Sequence, residues 1–313
     1  MICVLELLFW CGTILSIYSY ALYPVLLRMV VVVRPRSVAF PTVELPRLCV
    51  IIAVHNGGKS LVEKIEDTLR LDYPRELREI VIASDCSSDD TDEIALRYRA
   101  QGVTLVRSSD RKGKEHAQLL AIKATTSPLL VFTDVATRLA PDALATLVAS
   151  FHDPSVGAVS SEDELVSSSG QVRGEGAYVR YEMALRRLES RCAGLVGLSG
   201  SCFAVRRELC AHWRIDTPSD ITVALLCAQS GSRAISNGLV KGRYEDLKDA
   251  SKEFYRKKRT IIRGMTAVWE LRESLNLRKH GLFAFQVWSH KILRWLVPLG
   301  LILSFTANGG NHG

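Results

Sequence analysis

The sequence predicts an α/β protein with a doubly wound, mostly parallel sheet, preceded by an N-terminal transmembrane helix. Two observations support this prediction. In the first half of the chain, short apolar strand-like runs alternate with helical patterns, as in proteins whose parallel strands are joined by helices. Near the start, an uncharged apolar run extends from Leu7 to Leu27, and a helix of that length spans the bilayer core of about 30 Å.

The N-terminal apolar run is bracketed by charged residues, Glu6 before it and Arg28 after it. A cleaved signal peptide is the alternative interpretation, but such peptides begin with a basic region and have a shorter apolar core. We therefore expect residues 1–33 to be a retained transmembrane anchor. Arg34 and Arg36 follow the anchor, whereas no Lys or Arg precedes it, so the positive-inside rule places the rest of the chain in the cytoplasm.

Four strand–helix units follow a proline-containing linker at residues 34–47. The strand-like runs are LCVIIAV, EIVIAS, VTLVR and LLVFTD. The helical patterns that follow them lie from about Lys59 to Leu71, after Asp89, after Gly113 and after Pro141. We expect one α/β domain over residues 48–245, in which ligands bind beyond the carboxyl ends of the strands.

The second half of the chain changes character. Tyr181, Leu185 and Leu188 lie on one apolar face of a helix whose other side carries arginines, a pattern typical of a packed amphipathic helix. A further amphipathic helical segment is expected at residues 246–280. Residues 281–313 combine aromatic and basic residues with an apolar stretch that is short for a full span, which predicts an interfacial and partly membrane-embedded segment.

Composition excludes several classes of protein. A hydrophobic content of 48% is ample for a buried core and excludes a disordered chain. The net charge of +7 comes without a nucleic-acid-binding motif, and the basic residues gather beside apolar segments, so anionic lipid explains them better than a nucleic-acid partner. The eight cysteines are scattered without a C-x-x-C pair, which favours reduced thiols in a cytosolic domain over a zinc site.

Acidic residues end two of the predicted strands and would line one crevice. Asp85 ends the second strand and Asp134 ends the fourth. A carboxylate at a strand end also caps the next helix in many proteins, which is the better interpretation for Asp89 and Asp90. The K-G-K run at residues 112–114 opens a helix with two cations, a pattern that suits phosphate but is a weak signal alone.

Several segments together resemble family 2 glycosyltransferases, the superfamily that holds cellulose, chitin, hyaluronan and poly-N-acetylglucosamine synthases. The matching segments are VIIAVHN, LDYPRELREIVIASDCSSDDTDEIA, RKGKEHAQ, FTDVATRLAPDAL, GEGAYVRYEMALRRLESR, GSCFAVRREL and AFQVWSHKILRWLVP. The resemblance covers nearly the whole chain. It implies a GT-A catalytic domain and a nucleotide-sugar donor, which we expect to be a UDP-sugar.

The resemblance also implies a donor site built from four residues. His55 and Asp85 match the family's pocket for the nucleotide base and ribose, and Lys114 matches a residue near the same nucleotide. Asp134 matches the first acid of the D-x-D motif, which holds a divalent cation on the donor diphosphate. Mg²⁺ or Mn²⁺ suits such a site because carboxylate, phosphate and water are hard oxygen ligands.

On the acceptor side, Asp220 in TPSDITVAL matches the acid that deprotonates the acceptor hydroxyl. Inverting transfer is one in-line displacement, so it needs this base together with stabilisation of the departing diphosphate. Arg256 and Arg259 fall where the synthases carry Q-x-x-R-W. Their spacing places them on one face of a predicted helix, where they would hold phosphate oxygens or lie against lipid.

The sequence departs from the family pattern at two informative positions. Ala136 stands where the family has the second polar residue of D-x-D, which weakens metal ligation. Thr260 stands in place of the Trp of Q-x-x-R-W, which the synthases use beside the acceptor sugar, and this argues against processive polymerisation. The motif N-E after the first strand is also changed, to Asn56 and Gly57.

The leading hypothesis is an inverting, hexosyltransferase-like enzyme at the inner membrane, with its catalytic domain in the cytoplasm. Its acceptor would be a polysaccharide or a lipid-linked glycan, and partner proteins of polysaccharide assembly would fit the same setting. The alternative is a degenerate scaffold subunit that binds sugar nucleotides without turnover, which Ala136 motivates. A nucleotidyltransferase would share the sheet but would require neither the Asp220 region nor the membrane segments.

Overall fold

The structure is a computed structural model that describes residues 2–33, 44–166, 177–245 and 250–309. Most of the predicted linker at residues 34–47 lies outside the described residues. So do residues 246–249, at the start of the predicted amphipathic segment, and the side chain of Arg256.

A seven-stranded sheet forms the centre of the described chain. Its strands are β1 (Leu48–Val54), β2 (Arg78–Ser84), β3 (Val103–Arg107), β4 (Leu129–Asp134), β5 (Val156–Val166), β6 (Cys202–Arg206) and β7 (Arg233–Glu245). They lie in the order β3-β2-β1-β4-β6-β5-β7. β1 to β4 are parallel, whereas β6 runs antiparallel to both of its neighbours. The predicted mostly parallel sheet is therefore confirmed.

Eleven α-helices accompany the sheet in the described part of the chain. They are α1 (Ile2–Ile17), α2 (Tyr23–Val33), α3 (Gly58–Leu69), α4 (Thr91–Arg97), α5 (Lys114–Ala124), α6 (Ala143–Ala149), α7 (Ala177–Cys192), α8 (Ser219–Gln229), α9 (Ala250–Glu270), α10 (Leu277–Val287) and α11 (Arg294–Gly309). The four helices predicted between the first strands correspond to α3, α4, α5 and α6.

The sheet is covered on both faces, which explains the unbroken apolar sequence of β1. Leu48, Val50 and Ile52 pack in one cluster with residues of α3, α4 and α6. Cys49 and Ile51, which alternate with them, pack in a second cluster with residues of α5 and α8. Because successive side chains of a strand point to opposite faces, β1 is held between two helical layers as its sequence predicts.

A third apolar cluster joins the α/β domain to the helices that follow it. Ile221 and Leu225 of α8 pack against Ala267 and Val268 of α9 and against Phe283 of α10. The long helix α9 is thereby anchored near its C-terminal end, while its N-terminal half is mostly exposed.

The N-terminal helices α1 and α2 are joined by a π-helical turn at Tyr18–Leu22. Among the described residues, the segment Phe9–Val33 is the one helix long and apolar enough to cross a membrane, with a mean hydropathy of 1.6. α2 packs on α7, and α1 packs on α11. The contact between α1 and α11 is close, since a Cβ added at Gly300 would lie 3.1 Å from the Cα atom of Gly12.

A buried polar cluster ties α2, α7 and the C-terminal segment together. Glu189 is 1% exposed and accepts hydrogen bonds from Tyr23 Oη (2.6 Å) and His290 Nδ1 (2.7 Å). Arg294 forms an ion pair with Glu182. The basic residues of the predicted interfacial segment therefore include two that contact carboxylates of α7 inside the protein.

Candidate active site

Three of the predicted donor-site residues lie at the carboxyl ends of adjacent strands. β1 lies between β2 and β4, and all three run in the same direction. His55 follows β1, Asp85 follows β2, and Asp134 ends β4. His55 Nδ1 donates to the main-chain oxygen of Asp85 (2.8 Å), so these two residues are in direct contact.

The carboxylate of Asp85 organises the K-G-K loop. It accepts the backbone N–H of Lys112 at 2.9 Å and that of Gly113 at 2.8 Å. Gly113 has a φ of +98°, a conformation that side chains with a Cβ rarely adopt. Asp85 is 4% exposed, so its two charge-assisted hydrogen bonds fix the loop at the start of α5.

Lys114, the first residue of α5, reaches the end of β4. Its Nζ lies 2.5 Å from Oδ1 of Asp134 and donates to the main-chain oxygen of Gly200 (3.3 Å). Burial lowers the pKa of Lys114, but the adjacent carboxylate of Asp134 outweighs it, so the net pKa is raised and the ammonium stays charged. The site thus contains a fixed positive charge beside the strand end that ligands approach.

Asp220 lies in the first turn of α8, close to Gly200. A Cβ added at Gly200 would lie 3.8 Å from Asp220 Oδ2, and Leu198 N–H donates to the main-chain oxygen of Asp220 (3.1 Å). Burial raises the pKa of the Asp220 carboxyl, and the positive charge of Lys114 offsets only part of that rise. A carboxylate with a raised pKa is a stronger proton acceptor than an exposed one, which suits a general base.

Asp163 of β5 holds the loop around Gly200, the residue that both Lys114 and Asp220 approach. It accepts hydrogen bonds from the Oγ atoms of Ser199 and Ser201, each at 2.5 Å. Ser201 in turn accepts the backbone N–H of Asp134 (3.0 Å) through its main-chain oxygen. The sequence analysis missed Asp163, because strand β5 has no apolar alternation at this point and gives no sign that it lies beside β6.

Lys291 is a second cation near Asp220 that sequence reasoning missed. Its charge acts on Asp220, and its Nζ lies 3.3 Å from a Cβ added at Gly197. It helps to line a cavity of about 470 Å³ next to Ile221, with Tyr20, Thr260, Trp295 and Pro298 among the other lining residues. The cavity therefore lies between the N-terminal helices, α9 and the C-terminal segment, and it reaches α8 at Ile221, the residue after Asp220.

The arginines of α9 divide into two groups. Arg263 forms an ion pair with Glu115 at 2.8 Å, and Glu115 is the neighbour of Lys114 in α5. Arg259 is exposed on α9, and the side chain of Arg256 lies outside the described residues. The predicted roles of Arg256 and Arg259 at the donor phosphates stay predictions, whereas Arg263 links α9 to the site.

A divalent cation fits this site only with a single protein carboxylate. Among the described residues, no group of three His, Cys, Asp or Glu side chains could hold a metal ion. Asp134 uses Oδ1 for Lys114, and its side chain is 44% exposed, so one carboxylate oxygen is available to a cation. Since Mg²⁺ and Mn²⁺ keep several waters and accept phosphate oxygens, the residues present fit a cation that the donor diphosphate also binds.

Comparison with known families identifies the class of protein. The sequence model of Glycosyl transferase family 2 matches residues 49–213, more than half of the chain. The chain belongs to this family, as its motifs predict. The matched region contains His55, Asp85, Lys114 and Asp134, and it ends before Asp220.

Curated relatives match over part of their length. The hyaluronan synthase of Streptococcus pyogenes is 29% identical over 171 residues, which are 51% of this chain and 40% of that protein. An uncharacterized protein of Mycobacterium tuberculosis (strain CDC 1551 / Oshkosh) is 29% identical over 149 residues, which are 48% of this chain and 46% of that protein. The chain therefore spans less than half the length of these relatives.

Solved structures support the fold over a longer stretch. A mannosyltransferase from Pyrobaculum calidifontis, solved in complex with GDP-Man and Mn²⁺, superposes with a TM-score of 0.76 at 24% identity. The match covers 99% of this chain and 88% of that one. GalNAc-T7, solved with UDP, GalNAc and Mn²⁺, superposes with a TM-score of 0.51 at 17% identity over 65% of this chain and 44% of that one. The GT-A fold expected from the motifs is confirmed.

Proposed function

We propose that the protein transfers a sugar, with inversion, from a UDP-sugar to a hydroxyl group of a polysaccharide or lipid-linked acceptor at the cytoplasmic face of the inner membrane. The observation that carries the proposal is the position of Lys114, which contacts Asp134 and Gly200 while its charge acts on Asp220. The Lys114 ammonium, for the leaving diphosphate, and the Asp220 carboxylate, for the acceptor, thus both lie near Gly200.

In the proposed reaction, His55 and Asp85 shape the nucleotide pocket and Asp85 fixes the loop that precedes Lys114. The Lys114 ammonium stabilises negative charge as the diphosphate departs. Asp220 accepts the proton of the acceptor hydroxyl as its oxygen attacks the anomeric carbon from the opposite face. A divalent cation held by Asp134 and the donor would neutralise further phosphate charge. The raised pKa of Asp220 supports its role as the base.

The acceptor is proposed to occupy the cavity of about 470 Å³ beside Ile221. The aromatic side chain of Trp295 offers a flat apolar face for a sugar ring, and Thr260 leaves more room than the Trp found in the synthases. The involvement of Tyr20 and Pro298, which belong to the N-terminal and C-terminal helices, favours an acceptor that approaches along the membrane.

A carbonate wash and a reporter fusion test the proposed membrane anchor and its orientation. The apolar segment Phe9–Val33 and the arginines after it support an anchor with the catalytic domain in the cytoplasm. We expect the protein to stay in the membrane fraction after a carbonate wash and a reporter fused after Arg36 to be cytoplasmic. A periplasmic reporter signal would reverse the proposed orientation, and extraction by carbonate would contradict the anchor.

The catalytic role is tested by Asp220→Asn. Transfer from a radiolabelled donor, scored as released nucleoside diphosphate with acceptor present, should fall by about 10²- to 10⁴-fold, while donor affinity measured by calorimetry changes little. Asp216→Asn, a change of the same chemistry in the preceding loop, is the matched control and should retain transfer. If wild type and both variants bind donor but release no nucleoside diphosphate with any acceptor or metal, the non-catalytic scaffold is correct.

A further inference from the structure

A second cavity, of about 350 Å³, lies where the N-terminal helix meets the C-terminal ends of α7 and α8. It is lined by Val30 of α2, Leu282 and Phe283 of α10, and four basic residues. The basic residues are Arg191, Arg233, Lys279 and His280. No described carboxylate lines this cavity, and its volume falls within the range of about 300–1,000 Å³ typical of small-molecule sites.

The basic residues around the cavity are only partly neutralised. Arg233 pairs with Asp153 at 3.0 Å and Lys279 pairs with Glu273 at 2.6 Å. Within the described part of the chain, the Arg191 side chain is exposed and makes no ion pair or hydrogen bond, and Nε2 of His280 is buried without a hydrogen-bond partner. A buried nitrogen without a partner is costly unless a ligand or water satisfies it, and an unpaired guanidinium beside it favours an anionic ligand.

The cavity lies away from the candidate active site. Asp220 is in the first turn of α8, whereas Ala228, which lines the cavity, is in its last turn. Eight residues of α-helix separate the two positions by about 12 Å along the axis. The donor and acceptor sites therefore do not account for these basic residues.

The position of Val30 suggests the source of the anion. Val30 lies one helical turn before Val33, where the candidate membrane span ends, so the cavity would lie at the depth of lipid headgroups. Basic pockets at this depth on the cytoplasmic side bind anionic headgroups. Val30, Leu282 and Phe283 add an apolar wall on which the glycerol and first acyl carbons of a lipid would pack.

We propose that this cavity binds the phosphate of an anionic phospholipid headgroup, with Arg191 and His280 as its direct ligands. The site fixes the catalytic domain to the cytoplasmic leaflet at a second point, beside the N-terminal helix. This inference rests on the membrane placement proposed above, and it is independent of the transfer chemistry.

The test uses the full-length protein, delipidated in a neutral detergent, with dihexanoyl phosphatidylglycerol as the probe and the zwitterionic dihexanoyl phosphatidylcholine, whose phosphate charge is balanced by choline, as its counterpart. We expect saturable binding of the anionic lipid by native mass spectrometry, with weak binding of the neutral one. Arg191→Gln and His280→Gln should each weaken that binding about tenfold, the effect of one charge-assisted hydrogen bond. Arg99→Gln, which removes an exposed arginine elsewhere, is the control and should bind as wild type does.

Three outcomes would overturn the proposal: equal affinity for the two lipids, unchanged binding in both variants, or displacement of the lipid by inorganic phosphate at equal affinity. The last would identify a free-phosphate site instead. Release of nucleoside diphosphate is measured on the same samples, so a wild-type protein that transfers sugar but does not bind the anionic lipid refutes this inference alone. Carbonate extraction, in contrast, would refute the membrane placement.

Discussion

Lys114 and Asp134 form an ion pair, 2.5 Å between Nζ and Oδ1, at the carboxyl end of β4, where we propose that Asp134 also binds a metal ion. The lysine therefore occupies part of the coordination space that a divalent cation would use. Their side chains are 36% and 44% exposed, so solvent screens the pair and limits its worth to about 0–1 kcal/mol. A donor that brings both phosphate and a cation can replace this contact at little cost.

Removing the lysine should make the apo protein bind metal more tightly. We expect Lys114→Gln to raise Mn²⁺ affinity without nucleotide by up to about fivefold, the equivalent of the screened ion pair, while kcat/KM falls because the diphosphate loses a cation. Electron paramagnetic resonance of free Mn²⁺ measures the affinity. Lys112→Gln, at an exposed neighbouring lysine, should leave it unchanged. Equal affinity in wild type and Lys114→Gln would show that the lysine does not compete with the metal.

Restoring the second acid of the metal motif should lower the metal requirement. Ala136 is exposed two residues after Asp134, so Ala136→Asp adds a carboxylate and a second negative charge near the cation. We expect the Mg²⁺ or Mn²⁺ concentration for half-maximal transfer to fall several-fold. Ala136→Leu, which adds volume without a ligand, is the control, and Asp134→Ala should lose most activity. Full activity of wild type in the presence of a chelator would refute the metal assignment.

Because the pKa of Asp220 is raised, we expect this carboxyl to destabilise the folded protein at neutral pH. An aspartate ordinarily has a pKa of 3.8, and above that pH the unfolded chain ionises this carboxyl more readily than the folded chain does. Stability is therefore lost as the pH rises through the raised pKa. Asp220→Asn should raise the thermal midpoint at neutral pH, and the gain should shrink as the pH falls towards 3.8.

A carboxylate with the opposite shift provides the control for that experiment. Hydrogen bonds from Arg214 hold the pKa of Asp216 below its usual value, so ionised Asp216 stabilises the fold at neutral pH. Asp216→Asn should therefore lower the thermal midpoint slightly, since the pair is partly exposed. Scanning fluorimetry in detergent over a pH series measures both variants. A lower midpoint for Asp220→Asn at neutral pH would contradict the assigned shift.

The link between the N-terminal helix and α7 should be measurable through one hydroxyl. Tyr23→Phe removes the donor of a 2.6 Å hydrogen bond to the buried carboxylate of Glu189, which should cost about 1–3 kcal/mol. Urea unfolding in detergent micelles measures the change. Tyr98→Phe, which removes a 3.2 Å hydrogen bond to the exposed Glu66, should change stability by less than about 0.5 kcal/mol. Equal effects of the two substitutions would show that the buried contact adds nothing.

The first half of the fold could be predicted because β1, β2 and β4 are buried on both faces and contain continuous apolar runs. β5 could not, since it buries Ser160, Ser161 and Glu162, and polar residues in a strand erase the alternation on which prediction depends. Glu162 is tolerated because Arg187 and Lys241 each approach it at 2.6 Å. Those partners come from distant elements, so the sequence around Glu162 gives no sign of them.

Part of the candidate site could also be predicted from the sequence, whereas the residues that depend on tertiary packing could not. The proximity of Asp85 and Asp134 could be predicted from the sequence because the carboxyl ends of parallel strands share one edge of a sheet. Lys291 could not, since its position beside Asp220 depends on how the C-terminal segment packs on α8 and α9. Within WSHKILRW the basic residues suggest lipid contacts, yet His290 and Arg294 pair with carboxylates of α7.

The close approach of Gly12 to Gly300 has a consequence for biosynthesis. At about 5–20 residues per second, the ribosome needs roughly 15–60 s to reach Gly300 after α1 has been made. α1 is therefore complete long before its helical partner α11 exists, and the whole α/β domain is synthesised in between. The contact between Gly12 and Gly300 can therefore form only after the domain between them has been synthesised.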